Sequence, residues 1–260
     1  MPGCATLNPN PQKNLASYIG GGGGSNHSAN TADVSQARVG RGNRTVAAGV
    51  RQPSRLILGS CQLEVGLAKF FPAIEPLHRE FIEKQHIFFN ASACADGRVN
   101  LSPRDVAALR VLDTNTVIYL DRTGSGNETA AHLKDNGRLT LMFCAFEGPP
   151  QILRLYGRGR VIRRASEEYQ SLLAAHYNGS EPPGARQMIS LAVQTVQTSC
   201  GYNVPLYEYK SERDQLNRWS EAKGEDGLEE YRRQKNAASI DGFDTGLLEE
   251  ALQPAGQGRE

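Results

Sequence analysis

Ile152-Leu-Arg-Leu-Tyr-Gly-Arg-Gly-Arg-Val-Ile-Arg163 alternates almost without interruption. Leu153, Leu155, Gly157, Gly159 and Val161 fall on one side, and Arg154, Tyr156, Arg158 and Arg160 on the other. Successive side chains of an extended chain point to opposite faces, so a period of two reads as a strand. One face enters a core; the other meets solvent, a partner or a ligand.

Outward from this strand, more β-forming segments are separated by turn signals. His86 to Ala93 reads as a strand ending at the hairpin dipeptide Asp96-Gly97, with Arg98 to Ser102 as its partner. Thr116 to Leu120, Arg138 to Phe146 and Gln187 to Gln197 are strand-like. Short helices fall between them. Pro76 to Gln85 carries Leu77, Phe81 and Ile82 on one face, Glu128 to Asn136 is closed by Gly137, and Glu167 to His176 follows the long strand. No alternation of strand and helix suggests a doubly wound sheet. The pattern predicts a mainly β fold with inserted helices (α+β), a barrel over about residues 66–209.

The flanks differ. Residues 1–65 hold the glycine run Gly20 to Gly24 and no apolar periodicity, the composition of a disordered extension. Their bias toward Arg over acid also fits an organelle transit peptide, with a plain tail as the alternative. Residues 210–260 read as a helical extension and tail. Glu212 to Lys223 and Leu228 to Asn236 are charged and helical, and Trp219 and Tyr231 are placed to dock on the barrel. Arg232, Arg233 and Lys235 read as a solvated face.

Composition excludes several functions. The net charge of +1 gives no electrostatic case for nucleic acid or a membrane surface. No apolar run approaches a bilayer span, and the start is not a secretory signal. Five dispersed cysteines, without a C-x-x-C pair, argue against a disulfide framework or a metal site and for a reducing compartment, cytoplasmic unless the first residues direct import. Cys200 reads as a buried thiol, and His78, His86 and His132 as structural.

The chemistry-bearing stretch is Val99-Asn-Leu-Ser-Pro-Arg104 with Tyr119-Leu-Asp-Arg-Thr-Gly-Ser-Gly-Asn-Glu-Thr129. In the second piece a strand runs into a Gly-Ser-Gly turn and then a helix. Such a helix start turns N–H groups and a positive dipole end outward, which suits a phosphate. The same residues also suit simple helix capping, with Asn127 as the cap. In the first piece Pro103 is expected to end a strand. Arg104 behind it is either a phosphate fork or an exposed cation.

Taken together, these pieces resemble the pyridoxamine 5′-phosphate oxidase-related FMN-binding proteins. The resemblance is carried by Phe88-Phe-Asn-Ala-Ser-Ala93, the two stretches above, Met142-Phe-Cys-Ala-Phe-Glu-Gly148, Arg154-Leu-Tyr-Gly-Arg-Gly-Arg160 and Thr198-Ser-Cys-Gly-Tyr-Asn-Val-Pro-Leu-Tyr207. It implies a six-stranded FMN-binding split β-barrel, a homodimer, and FMN sites at the dimer interface. It places the flavin phosphate near Arg104, Ser125, Asn127 and Thr129, and the ring edge along Asn100, Leu101 and Ser102. The activity implied is an FMN-dependent oxidoreductase that takes hydride from a small substrate or reduced nicotinamide, with no catalytic side chain assigned. A non-catalytic flavin- or haem-binding dimeric barrel, or a cofactor-free one, is the alternative.

Two departures separate the chain from true pyridoxamine phosphate oxidases. Val99 stands where those carry a phosphate-binding Arg, and the Arg-Leu-His segment that handles their substrate is missing after Trp219. Asp105 adds a carboxylate beside Arg104 that would weaken phosphate binding if it faced the site.

Overall fold

The computed structural model describes residues 68–249. The readings of residues 1–65 and of the last eleven residues lie outside them. Eight strands and four helices occur in the order β1 (Lys69–Phe71), α1 (Pro76–Glu83), β2 (Ile87–Ser92), β3 (Asn100–Asp105), β4 (Leu109–Val111), β5 (Thr116–Arg122), α2 (Glu128–Asp135), β6 (Arg138–Cys144), β7 (Ile152–Arg163), α3 (Glu167–His176), β8 (Ala185–Ser199) and α4 (Gln215–Lys235). A 3₁₀ turn, Val106–Ala108, joins β3 to β4.

All strands belong to one antiparallel sheet in the order β3-β2-β6-β7-β8-β5-β4, with β1 added alongside β8. The sheet therefore has eight strands where the resemblance implied six. The extra count comes from β1 and β4, three residues each. The two longest strands, β7 and β8, form the spine. Between Tyr156 and Gly157 their register shifts. A Cβ on Gly157 would lie 2.0 Å from the Ala192 carbonyl oxygen, so only glycine permits this approach.

Inward residues form the main core. Phe88, Tyr119, Leu141, Phe143, Leu153, Leu155, Ile189, Leu191 and Val196 are buried there together. On the other face of β5, Ile118 and Leu120 pack with Ile162 and Met188 against Tyr169, Leu173 and Tyr177 of and just after α3. This sheet, curled round one core with edge strands β3 and β4 left apart, is a split β-barrel.

Two local expectations are corrected. On α1 the buried residues are His78 and Ile82, whereas Leu77 is exposed. The polar His78 is accommodated because its Nδ1 accepts from the Glu75 N–H at 3.1 Å and its ring meets Phe71 edge-on. Pro103 does not end a strand. It pairs opposite Phe89, and β3 continues to Asp105. Proline lacks a donor, but β3 is an edge strand, where one missing N–H is tolerated.

Candidate functional site

The site lies where β3, the end of β5 and the start of α2 converge. Along β3 the side chains alternate. Asn100, Ser102 and Arg104 turn inward beside Ser92, Asn90 and Phe88 of β2, while Leu101, Pro103 and Asp105 turn outward. Asp105 thus faces away from the inward row, and its carboxylate accepts from the Ala107 N–H at 2.8 Å. β3 has a neighbour on one side only, so every second residue presents its N–H and C=O away from the sheet.

Beneath Arg104 lies a buried ionic cluster. Asp121, at the end of β5, is 1% exposed. Its Oδ1 is 2.6 Å from Arg104 Nη1, and its Oδ2 accepts from Arg186 Nε and Gln187 Nε2, both at 2.8 Å. Burial alone would push the Asp121 carboxyl up, but Arg186 and Arg104 outweigh it and hold it below the usual carboxylate range. Burial likewise disfavours the Arg104 cation, and Asp121 more than offsets this, so its pKa is raised. Arg104 Nε also donates to Asn90 Oδ1 at 3.1 Å, leaving the guanidinium partly exposed.

After β5 the chain makes the turn Gly124-Ser-Gly126 and enters α2. The first N–H groups of a helix lack intrahelical acceptors. Among the described residues, no backbone carbonyl accepts from the N–H of Gly124, Ser125 or Gly126 either. A Cβ placed on Gly124 meets nothing within 4 Å, so the turn is open there, whereas one on Gly126 would meet the Glu128 carboxylate at 3.0 Å. Asn127 occupies the N-cap position, but its side chain makes no cap bond. It is buried instead, accepting from Gln187 Nε2 at 2.8 Å and donating to the Asn236 carbonyl at 3.4 Å.

A cavity of about 790 Å³ results, within the range of small-molecule sites. Of the residues singled out in the sequence, Asn100, Ser102, Arg104, Ser125 and Thr129 line it together. Leu101 and Asn127 do not. The former is 61% exposed on the outer face of β3 and the latter lies behind the turn. Arg98, Arg122, Arg186 and Lys235 add positive charge to the lining against one carboxylate, Glu128. Thr129 Oγ1 accepts from Asn90 at 2.7 Å and Asn100 at 3.2 Å, tying α2 to β2 and β3. His132 is buried against Ser92 Oγ at 3.0 Å and also reaches the lining.

Several residues of the site were not singled out by sequence. Arg186 lies one position before the expected strand, and Asn236 closes a charged helix. Neither carries a local signal. Arg232, read as solvated, is buried and donates to Thr123 Oγ1 at 2.8 Å and the Ala185 carbonyl at 3.0 Å. Trp219 and Tyr231 pack edge-on against each other at 5.1 Å. Cys200 is exposed, where a buried thiol was expected. Among the described residues no group of His, Cys, Asp and Glu could hold a metal ion, and no helix is long and apolar enough to cross a membrane.

A split β-barrel with a cation-lined cavity at its open edge strand defines the class. The family model for pyridoxamine 5′-phosphate oxidase matches residues 74–200. The pyridoxamine 5′-phosphate oxidase family protein ustO of Aspergillus flavus is 35% identical over 192 residues, covering 67% of this chain and 76% of that protein. The chain belongs to the pyridoxamine 5′-phosphate oxidase family. Among solved structures, a histidine-to-alanine variant of HupZ of Group A Streptococcus is 20% identical, covering 48% of this chain and 98% of its own at a TM-score of 0.39. The haem storage protein HutZ of Vibrio cholerae is 17% identical, covering 50% and 97% at 0.37.

Proposed function

We propose that this chain binds FMN in the cavity between β3 and the Gly124–Gly126 turn and works as an FMN-dependent oxidoreductase. The observation that carries the reading is that the Gly124–Gly126 turn, whose N–H groups have no backbone acceptor, the start of α2 and Arg104 all line one cavity. That donor set suits a phosphate dianion. Arg104 and Ser125 would bind the phosphate, with Thr129 bracing α2 against the strands. Asn127 would support the turn from behind. Asn100 and Ser102, with the open backbone of β3 at Leu101, would orient the ring edge. Bound flavin would supply hydride transfer, so that no acid or base from the chain is required.

A second groove of about 1400 Å³ adjoins the cavity and shares Pro103, Arg104 and Arg122 with it. Phe81, Phe146, Tyr207 and Tyr209 make it apolar, and it gives room for a small substrate or reduced nicotinamide beside the flavin. The outer face of β3, β6 and β7, with Leu101, Met142 and Tyr156 at least partly open, would meet a second copy in a homodimer. We also assign flavin binding to the barrel, with residues 1–65 dispensable for it.

The test is the visible spectrum of the purified protein, identification of the released chromophore, and turnover with NADPH and an electron acceptor. Released FMN with turnover supports the reading. FMN without turnover leaves a non-catalytic holder, and haem or no chromophore refutes the flavin assignment. Light scattering should give twice the chain mass.

A further inference from the structure

The family model ends at residue 200, yet one wall of the cavity is built from residues beyond it. Gln234, Lys235, Ala238, Ser239 and Ile240 line the cavity together with the Gly124–Gly126 turn. The segment that carries them is tied to the pocket at several points. Arg232 donates to Thr123 just before the turn. The Ile240 N–H donates to the Glu128 carboxylate at the start of α2, at 3.0 and 3.1 Å. Asp241 accepts from the Arg98 N–H at 2.7 Å and pairs with its guanidinium, which holds the loop before β3.

Asn236 is the centre of this set, with 0% exposure. Its Nδ2 donates to the Gly124 carbonyl at 3.0 Å. Its Oδ1 accepts from Arg186 Nη1 at 2.7 Å, and the same Nη1 donates to the Gly126 carbonyl at 2.9 Å. One end of the Gly-Ser-Gly turn is therefore held by Asn236 directly and the other by Arg186, which Asn236 and Asp121 hold in turn. The Asn236 carbonyl accepts from Asn127 Nδ2 and, at 2.7 Å, from Thr245 Oγ1. Glycines are the residues most costly to order, so a turn with two of them keeps one shape only if something outside it holds that shape. With the carbonyls drawn toward Asn236 and Arg186, the turn N–H groups are left for a ligand.

We propose that the segment from Arg232 to Asp241 is a built part of the ligand site, in which Asn236 is a positioning residue that sets the Gly124–Gly126 turn to bind a phosphate monoester. This rests on the FMN reading above. It makes the phosphate preference of a turn inside the barrel depend on a residue beyond the part that carries the family match.

The test compares FMN and riboflavin affinities, by quenching of flavin fluorescence, for the full chain and two variants, with melting of each apo-protein followed in parallel. Asn236→Ala should weaken FMN about tenfold while riboflavin changes by less than about twofold. Thr245→Val nearly keeps the side-chain volume and removes the hydroxyl that donates to the Asn236 carbonyl at 2.7 Å, together with its longer contacts to the Ala237 carbonyl and the Leu247 N–H. It should lower the FMN-to-riboflavin preference about threefold, and decides the matter alone if Asn236→Ala does not fold. Equal loss of both flavins would mean general support of the fold and overturns the proposal, as does an unchanged preference. A parent chain without any preference for FMN fails the phosphate reading itself. A parent that prefers FMN, beside variants that still do, fails this inference alone.

Discussion

Asp121→Asn is the perturbation whose consequences the structure specifies most fully. The carboxylate is 1% exposed and holds two guanidiniums and an amide, all within 2.8 Å. Asparagine keeps the shape, removes the charge, and presents an NH₂ group where three donors already point. Removing one partner of a buried pair costs about 3–5 kcal/mol. Arg104 is 23% exposed in its side chain and can relax toward solvent, so the lower end applies, about 3 kcal/mol. For a domain of this size that corresponds to a melting temperature lower by about 6–12 °C. The variant also gains one unit of positive charge beneath the cavity. Inorganic phosphate or FMN should therefore raise its melting temperature more than that of the parent protein.

Acid should narrow the gap between the two. The Asp121 pKa is depressed in the fold by Arg186 and Arg104 against the effect of burial, so its contribution is complete above the unfolded carboxylate pKa. It is lost as pH falls through the lower folded value. The difference between parent and variant should hold steady at neutral pH and shrink below about pH 4. Melts followed by circular dichroism across pH would show both effects. A loss of less than about 2 °C at neutral pH, or a gap that widens in acid, would refute the reasoning.

Arg104→Ala should weaken FMN binding by about 1.5–3 kcal/mol in calorimetric titration, since a charge-assisted bond to phosphate is lost. Gly157→Ala, whose new methyl would collide with the Ala192 carbonyl, should cost about 1–3 kcal/mol in urea unfolding without changing the slope. Pyridoxamine 5′-phosphate with added FMN should release little or no hydrogen peroxide, because the Arg-Leu-His segment has no counterpart after Trp219 and misplacement by ~1 Å costs on the order of 100-fold.

What the sequence made legible follows the range of the interactions. The strand Ile152–Arg163 and the helix Glu167–His176 coincide with β7 and α3 residue for residue, because both are set by local sequence; in the fold Ser166 caps the helix by accepting from the Tyr169 N–H. β1 and β4 escaped notice, since three residues cannot display a period. Pro103 misled because its cost depends on whether the strand has a second neighbour, which is a property of the whole sheet. Arg104, Ser125 and Thr129, which line the cavity, stand out in the sequence as parts of one turn-and-strand motif. Arg186 and Asn236 were not, since the fold alone brings them to Asp121 and Gly124. Asn127 reads as either a helix cap or a phosphate ligand from its place before a helix, but its amide is spent on Gln187 and Asn236. Arg232 reads as solvated within a run of charge, but it is buried because Thr123, the Ala185 carbonyl and Glu225 take up its guanidinium.

The central claim is that the cavity between β3 and the Gly124–Gly126 turn recognises the phosphate of FMN. Side-by-side titration of the purified apo-protein with FMN and with riboflavin tests it most directly, because the two ligands share the ring and differ in that one group. Affinity for FMN higher by at least about tenfold, narrowing as inorganic phosphate is added, is the result expected from a charge-assisted phosphate site. Equal affinity for the two flavins would contradict the account.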